Sequence, residues 1–126
     1  MKKVIYTADA PAPVGPYSQA IMHGDTLYCS GQIPIDPKTG VLITTNLEDE
    51  TRQVFANLKA VLAAADMTFD NVVKCSVFLS SMESFGAVNK IYAEYFNEAT
   101  APARETVEVA NLPKYVNVEI SAIAIK

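Results

Sequence analysis

Residues 72 to 80 are largely apolar on both sides of a two-residue period: Val73, Cys75, Val77 and Leu79 alternate with Val72, Lys74, Ser76 and Phe78. That pattern describes an interior strand with little of either face open to water. The last run, 116 to 125, puts Val116, Val118, Ile120, Ala122 and Ala124 on one continuous apolar face, with Asn117, Glu119 and Ser121 opposite. A sheet built from such strands needs cover, and the pattern supplies only two helices to provide it.

The first helix follows Asn46, a good N-cap, with Glu48, Asp49 and Glu50 at the positive end of the dipole. Val54, Phe55, Leu58, Val61, Leu62 and Ala65 then form one apolar stripe. The spacing predicts a second helix from Met82 to Asn97, with Phe85, Val88, Tyr92, Tyr95 and Phe96 on its buried face. Asn89 lies on that face too, and an amide there needs a partner. Short strands over 18–22 and 26–30 flank a His23-Gly24-Asp25 hairpin connection. Asp36 to Gly40 has the composition of a tight turn. A further strand is expected over 104–110, with Leu112-Pro113-Lys114 linking it to the last one.

The order strands, helix, strand, helix, strand, strand gives an α+β sandwich of two layers, with both helices on one face of a mixed sheet. The other face is left for a second copy of the chain, so a homo-oligomer is expected. A length of 126 residues suits one domain over 1–126, and 50% hydrophobic residues suffice for a core.

Composition removes several function classes. The net charge of −4, without a basic stripe, argues against nucleic acid as a partner. No apolar run reaches membrane-spanning length, and Lys2-Lys3 is not followed by the apolar core of a signal peptide, so a cytoplasmic protein with no membrane contact is expected. Cys29 and Cys75 match no metal spacing and sit in apolar runs, as buried free thiols do. The single histidine, His23, falls in a turn, and no glycine-rich phosphate loop is present. Neither a Ser-His-acid triad nor a His-based zinc site can be assembled, and no metal or other cofactor is expected.

What remains is polar residues set into apolar strands. Arg104, Thr106 and Glu108 share one face of their strand, and Glu105, Val107 and Val109 the other. Arg104 reads either as a solvent-facing strand residue or as a planar fork for a carboxylate. Glu119 reads either as a rim carboxylate in an ion pair or as a group that moves a proton or orients a water. Spacing alone leaves both pairs open.

Four blocks in order, Gly15-Pro16-Tyr17-Ser18-Gln19-Ala20, Ser30-Gly31-Gln32-Ile33-Pro34, Pro102-Ala103-Arg104, and Leu112-Pro113 leading to Val118-Glu119-Ile120, resemble the Rid family of YjgF-type reactive-intermediate deaminases, the RidA branch in particular. The resemblance covers essentially the whole chain. It implies a chorismate-mutase-like α+β fold and a homotrimer with a ligand cleft at each subunit interface. It also implies cofactor-free hydrolysis of enamines and imines, such as 2-aminoacrylate and 2-aminocrotonate, to 2-keto acids and ammonia, which protects pyridoxal-phosphate enzymes from damage. Carried over, Arg104 would anchor the substrate carboxylate, Glu119 would orient or activate water, and Tyr17 would close the pocket. Ser30 and Gly31 would hold the reacting end, Phe85 and Asn89 would line the wall, and Thr106 would join the substrate-binding set. Many relatives have Cys at the position of Thr106, Ser at that of Glu105 and an acid at that of Ser121; these departures point to an altered rate or substrate preference. The competing reading is a protein that holds 2-keto acids in the same cleft without turning them over. A ribonuclease or translation-inhibitor role, suggested for relatives, fits the acidic balance least.

Overall fold

Gly24 and Asp25 reverse the chain between two strands, and Gly24 takes the positive φ of 59° that a tight hairpin turn requires. The computed structural model describes residues 1–126. Strands β1 (Lys2–Ile5), β2 (Ala20–His23) and β3 (Thr26–Gln32) precede helix α1 (Leu47–Ala64). Strand β4 (Val72–Leu79), helix α2 (Phe85–Tyr92), and strands β5 (Ala103–Glu108) and β6 (Val118–Ile125) complete the order. The six strands form one mixed sheet in the order β1-β2-β3-β6-β4-β5. Only β4 and β5 run parallel, joined through α2. The expected α+β architecture stands, and the doubly apolar β4 is interior, between β6 and β5.

The Asn46 side chain accepts from the Asp49 N–H at 2.8 Å and caps α1 as its sequence predicts. The stripe Val54, Phe55, Leu58, Val61 and Leu62 is almost wholly buried against Val118, Ile120, Ala122 and Ala124 of β6 and the inward residues of β3 and β4. Cys29 and Cys75 face this same core on either side of Ala122, both free and buried. Their strands are separated by β6, so roughly two strand spacings of 4.8 Å keep them beyond disulfide reach. Burial pushes the Cys29 thiol up to about 12 and raises Cys75 as well, which makes both poor nucleophiles.

The second helix is shorter than its periodicity predicts. A 3-10 turn over Met82–Ser84 leads into α2, and the α-helix stops at Tyr92. Beyond it the backbone tightens to i→i−3 bonds, Glu94 N–H to Ile91 and Tyr95 N–H to Tyr92. The tighter turn lets Tyr95 stack on Phe55, with centroids 4.2 Å apart, while Tyr92 and Phe96 meet Phe55 edge-on. Aromatic packing against α1 outweighs the propensity to continue the helix.

Both helices cover one face of the sheet. The other presents Ile21, Phe78 and Ile123, half-buried, with Tyr28 and Val107 more exposed, and it has no cover within the chain.

Candidate active site

Alternation along β5 turns Arg104 toward α2. Its guanidinium lies over the Tyr92 ring, 4.6 Å from the centroid, and beside Phe85 at 5.6 Å. One N–H, from Nη1, is donated to Asn89 Oδ1 at 2.8 Å, which gives the buried-face amide the partner it needs. The remaining donors of the fork make no hydrogen bond within the chain and border an open cleft of about 630 Å³ lined by Asn89, Tyr92, Phe96, Glu98 and Pro102. Thr106 lies one pleat further along on the same face. Its Oγ1 is closed to solvent and unpaired, as is the Tyr92 hydroxyl, so Thr106 backs the wall behind Arg104. Glu105 points to the opposite face, where it accepts from the Ser76 hydroxyl and pairs with Lys74 at 3.0 Å.

Glu119 lies on the other side of the sheet. Its neighbours in β6, Val118 and Ile120, are fully buried under the helices, so its carboxyl emerges on the helix-free face. Opposite it, β3 carries an extra residue: Cys29 pairs with Ala122, but Gln32 pairs with Ile120, leaving Ser30 and Gly31 across from Ser121 alone. This bulge brings the Gly31 backbone under the Glu119 side chain, so that a Cβ at residue 31 would stand 2.8 Å from the carboxyl carbon and 3.1 Å from Cγ. The missing side chain of Gly31 is what lets the Glu119 carboxyl come this close. Tyr17, Gly31, Gln32, Lys114 and Glu119 line a cavity of about 220 Å³. Ser30 is occupied in holding the wall: its hydroxyl donates to Ser18 O at 2.6 Å and its N–H to Gln19 O at 2.9 Å.

Glu119 makes neither a salt bridge nor a hydrogen bond in the chain, so the rim ion pair does not form. Partial burial raises its carboxyl above the usual carboxylate range. A carboxyl that is easier to protonate than usual is suited to proton transfer.

The candidate residues therefore form two half-sites. Arg104, Asn89, Phe85 and Thr106 belong to the helix-bearing face, and Tyr17, Ser30, Gly31 and Glu119 to the other side. Residues absent from the sequence-based set complete them. Tyr92, read there as core, is also the platform for Arg104. Lys114, in the predicted link, adopts a left-handed φ of 55° and reaches the Glu119 cavity.

Gly31→Ala tests the close approach. The added methyl meets the far end of a flexible side chain, so the fold is retained while the carboxyl swings aside. The melting temperature is expected to stay close to that of wild type while the Glu119 carboxyl moves off residue 31 in the variant's crystal structure; a carboxyl still seated over residue 31 would remove the need for glycine there.

Comparison with known proteins adds four findings. A family model described as endoribonuclease L-PSP matches residues 7–126. A RutC family protein of Pyrococcus horikoshii is 53% identical over 100% of this chain and 99% of its own, and the 2-iminobutanoate/2-iminopropanoate deaminase of Mus musculus is 46% identical over 100% and 93%. The crystal structure of the Rid family protein YyfA of Yersinia pestis superposes with a TM-score of 0.96 at 49% identity, covering 100% of both chains.

Proposed function

This chain belongs to the endoribonuclease L-PSP (YjgF/Rid) family, and from that premise we propose that it is a hydrolytic deaminase of small enamines and imines bearing a carboxylate. The mammalian relatives at 44–46% identity carry the name 2-iminobutanoate/2-iminopropanoate deaminase, which supports the reaction class. The observation that carries the reading is the pair of half-sites: a stacked guanidinium with unused donors and an unpaired, partly buried carboxyl over a glycine.

The half-sites lie on opposite faces of one sheet, so a complete site needs two copies. A closed ring of identical subunits sets different patches of neighbouring copies against each other. A homotrimer would cover the apolar helix-free face and bring one copy's Arg104 to the next copy's Glu119. Arg104 then binds the substrate carboxylate through two hydrogen bonds. Protonation of the enamine carbon gives the imine, and Glu119 orients or activates a water whose oxygen bonds to the imine carbon. The C–N bond of the resulting carbinolamine breaks, ammonia leaves, and the 2-keto acid remains. Tyr17, half-exposed at the rim, closes the cavity over the reacting end. Removing such intermediates would protect pyridoxal-phosphate enzymes from them. The endoribonuclease name attached to the family finds no support in the acidic net charge of −4.

The test is release of ammonia and keto acid from 2-aminoacrylate generated in situ. Acceleration over the spontaneous rate supports the proposal. A folded oligomer that gives no acceleration with this or larger imino acids, yet binds 2-keto acids, would instead be a metabolite-binding protein.

A further inference from the structure

The sequence places Glu50 in the acidic first turn of α1, where a carboxylate ordinarily faces water. It is instead completely buried. Glu50 precedes Val54 by one helical turn and so falls on the apolar stripe, while Glu48 and Asp49 are exposed. Its two oxygens accept three N–H bonds from a single stretch of chain: Asn117 N at 2.6 Å and Val118 N at 3.2 Å on Oε2, and Asn117 Nδ2 at 2.9 Å on Oε1. Asn117 is held from its other side by Ser80, whose hydroxyl donates to Oδ1 at 3.0 Å and whose N–H donates to the Asn117 carbonyl at 3.0 Å.

This cluster stands where it matters most for the Glu119 half-site. Immediately upstream, Lys114 and Tyr115 both adopt left-handed backbone, with φ of 55° and 56°, a conformation that non-glycine residues hold only when their surroundings impose it. Immediately downstream, Glu119 must lie directly over Gly31. Charge-assisted bonds from a buried carboxylate to consecutive backbone donors are short and directional, and they pin the chain at 117–118 between these two features.

We propose that Glu50 is a positioning residue for the active site: through Asn117 and Val118 it sets the start of β6, and with it the placement of the Glu119 carboxyl and of Lys114 at the cavity wall. The inference rests on the deaminase reading only for its kinetic readout.

Glu50→Gln keeps the shape and removes one acceptor. Its amide N–H finds an acceptor at Asn117 Oδ1 only if the Asn117 amide turns over and donates to the Ser80 hydroxyl instead, and in every arrangement the charge-assisted hold on 117–118 is lost. Turnover is expected to fall about tenfold, as for a misplaced reacting group, and KM to change less than twofold because Arg104 lies on the other face. The Glu119 carboxyl, followed by carbon-13 NMR, should titrate at a value different from that in wild type. The other titratable groups lining its cavity, Tyr17 and Lys114, are unaltered in composition. Adding Asn117→Asp to Glu50→Gln supplies an acceptor for the amide N–H while the Ser80 contact is kept, and should restore both turnover and titration. If Glu50→Gln does not fold, Asn117→Ala carries the test, because it removes the side-chain contacts and leaves both backbone donors.

Unchanged Glu119 titration in a folded variant, or failure of the double variant to recover, would overturn the proposal. Absence of deamination by the wild-type protein would sink the reaction instead, and the Glu119 titration would still decide the role of Glu50.

Discussion

Arg104→Ala should lower kcat/KM for 2-aminoacrylate by about a hundredfold to a thousandfold, the loss associated with truncating one partner of a desolvated charge pair. The protein should fold as before. Arg104 is exposed, it makes no salt bridge, and its one internal hydrogen bond goes to Asn89, which water can replace once the side chain is gone. Arg104→Lys is the informative companion. It keeps the charge but loses the planar fork and the stacking on Tyr92, so it should recover only a small part of the lost activity. Steady-state kinetics alongside thermal melts separate the outcomes. A lysine variant as active as wild type would show that a point charge suffices and that the stacked geometry is incidental.

Glu119→Gln should lower kcat by about a hundredfold, the range expected for loss of a positioned acid or base, with KM changed little because the substrate anchor is elsewhere. The same substitution reports on stability. Burial raises the Glu119 carboxyl above its usual value of 4.5. Below that value it is protonated in folded and unfolded chains alike and carries no penalty. As pH rises through the shifted value, the folded chain must ionise a partly buried group, and stability is lost relative to the glutamine variant. The variant should therefore melt higher than wild type at neutral pH, and the difference should close on acidification below 4.5. The kcat profile of the wild type should show a limb displaced upward from the ordinary carboxylate range, which the variant lacks. A variant that melts lower at neutral pH would mean that Glu119 has a stabilising partner in the assembled protein.

Much of this arrangement was legible before the structure. The doubly apolar run at 72–80 announced an interior strand, and the stripe from Val54 to Leu62 announced the core helix. The amide of Asn89 announced a partner, found in Arg104. Period-two alternation also separated Arg104 from Glu105 correctly. The rest depended on contacts between distant parts of the chain. The bulge at Ser30–Gly31 reflects pairing with β6 and has no local signature beyond the glycine itself. The early end of α2 reflects Tyr95 stacking on Phe55, forty residues away in the chain. β1, at the sheet edge, is too short and too polar for periodicity to register. Glu50 carries a signal, its place one turn before Val54, but acidic residues in a first turn are usually exposed and serve only the helix dipole.

The separation of the half-sites was legible only in part. Alternation put Arg104 and Glu119 on strands, but which face each occupies depends on the side the helices cover. With that known, the two groups lie on opposite faces of one sheet, and the proposed function joins them only between copies of the chain.

Mixing tests that claim most directly. Arg104→Ala and Glu119→Gln proteins, each nearly inactive alone, are unfolded together in equal amounts, refolded, and assayed with 2-aminoacrylate. In random assemblies a shared site draws an intact Arg104 half and an intact Glu119 half with a chance of one half each, so about a quarter of the sites, and of wild-type activity, should return. No recovery, in assemblies shown to be mixed, would mean that both groups act within one copy and would contradict the account.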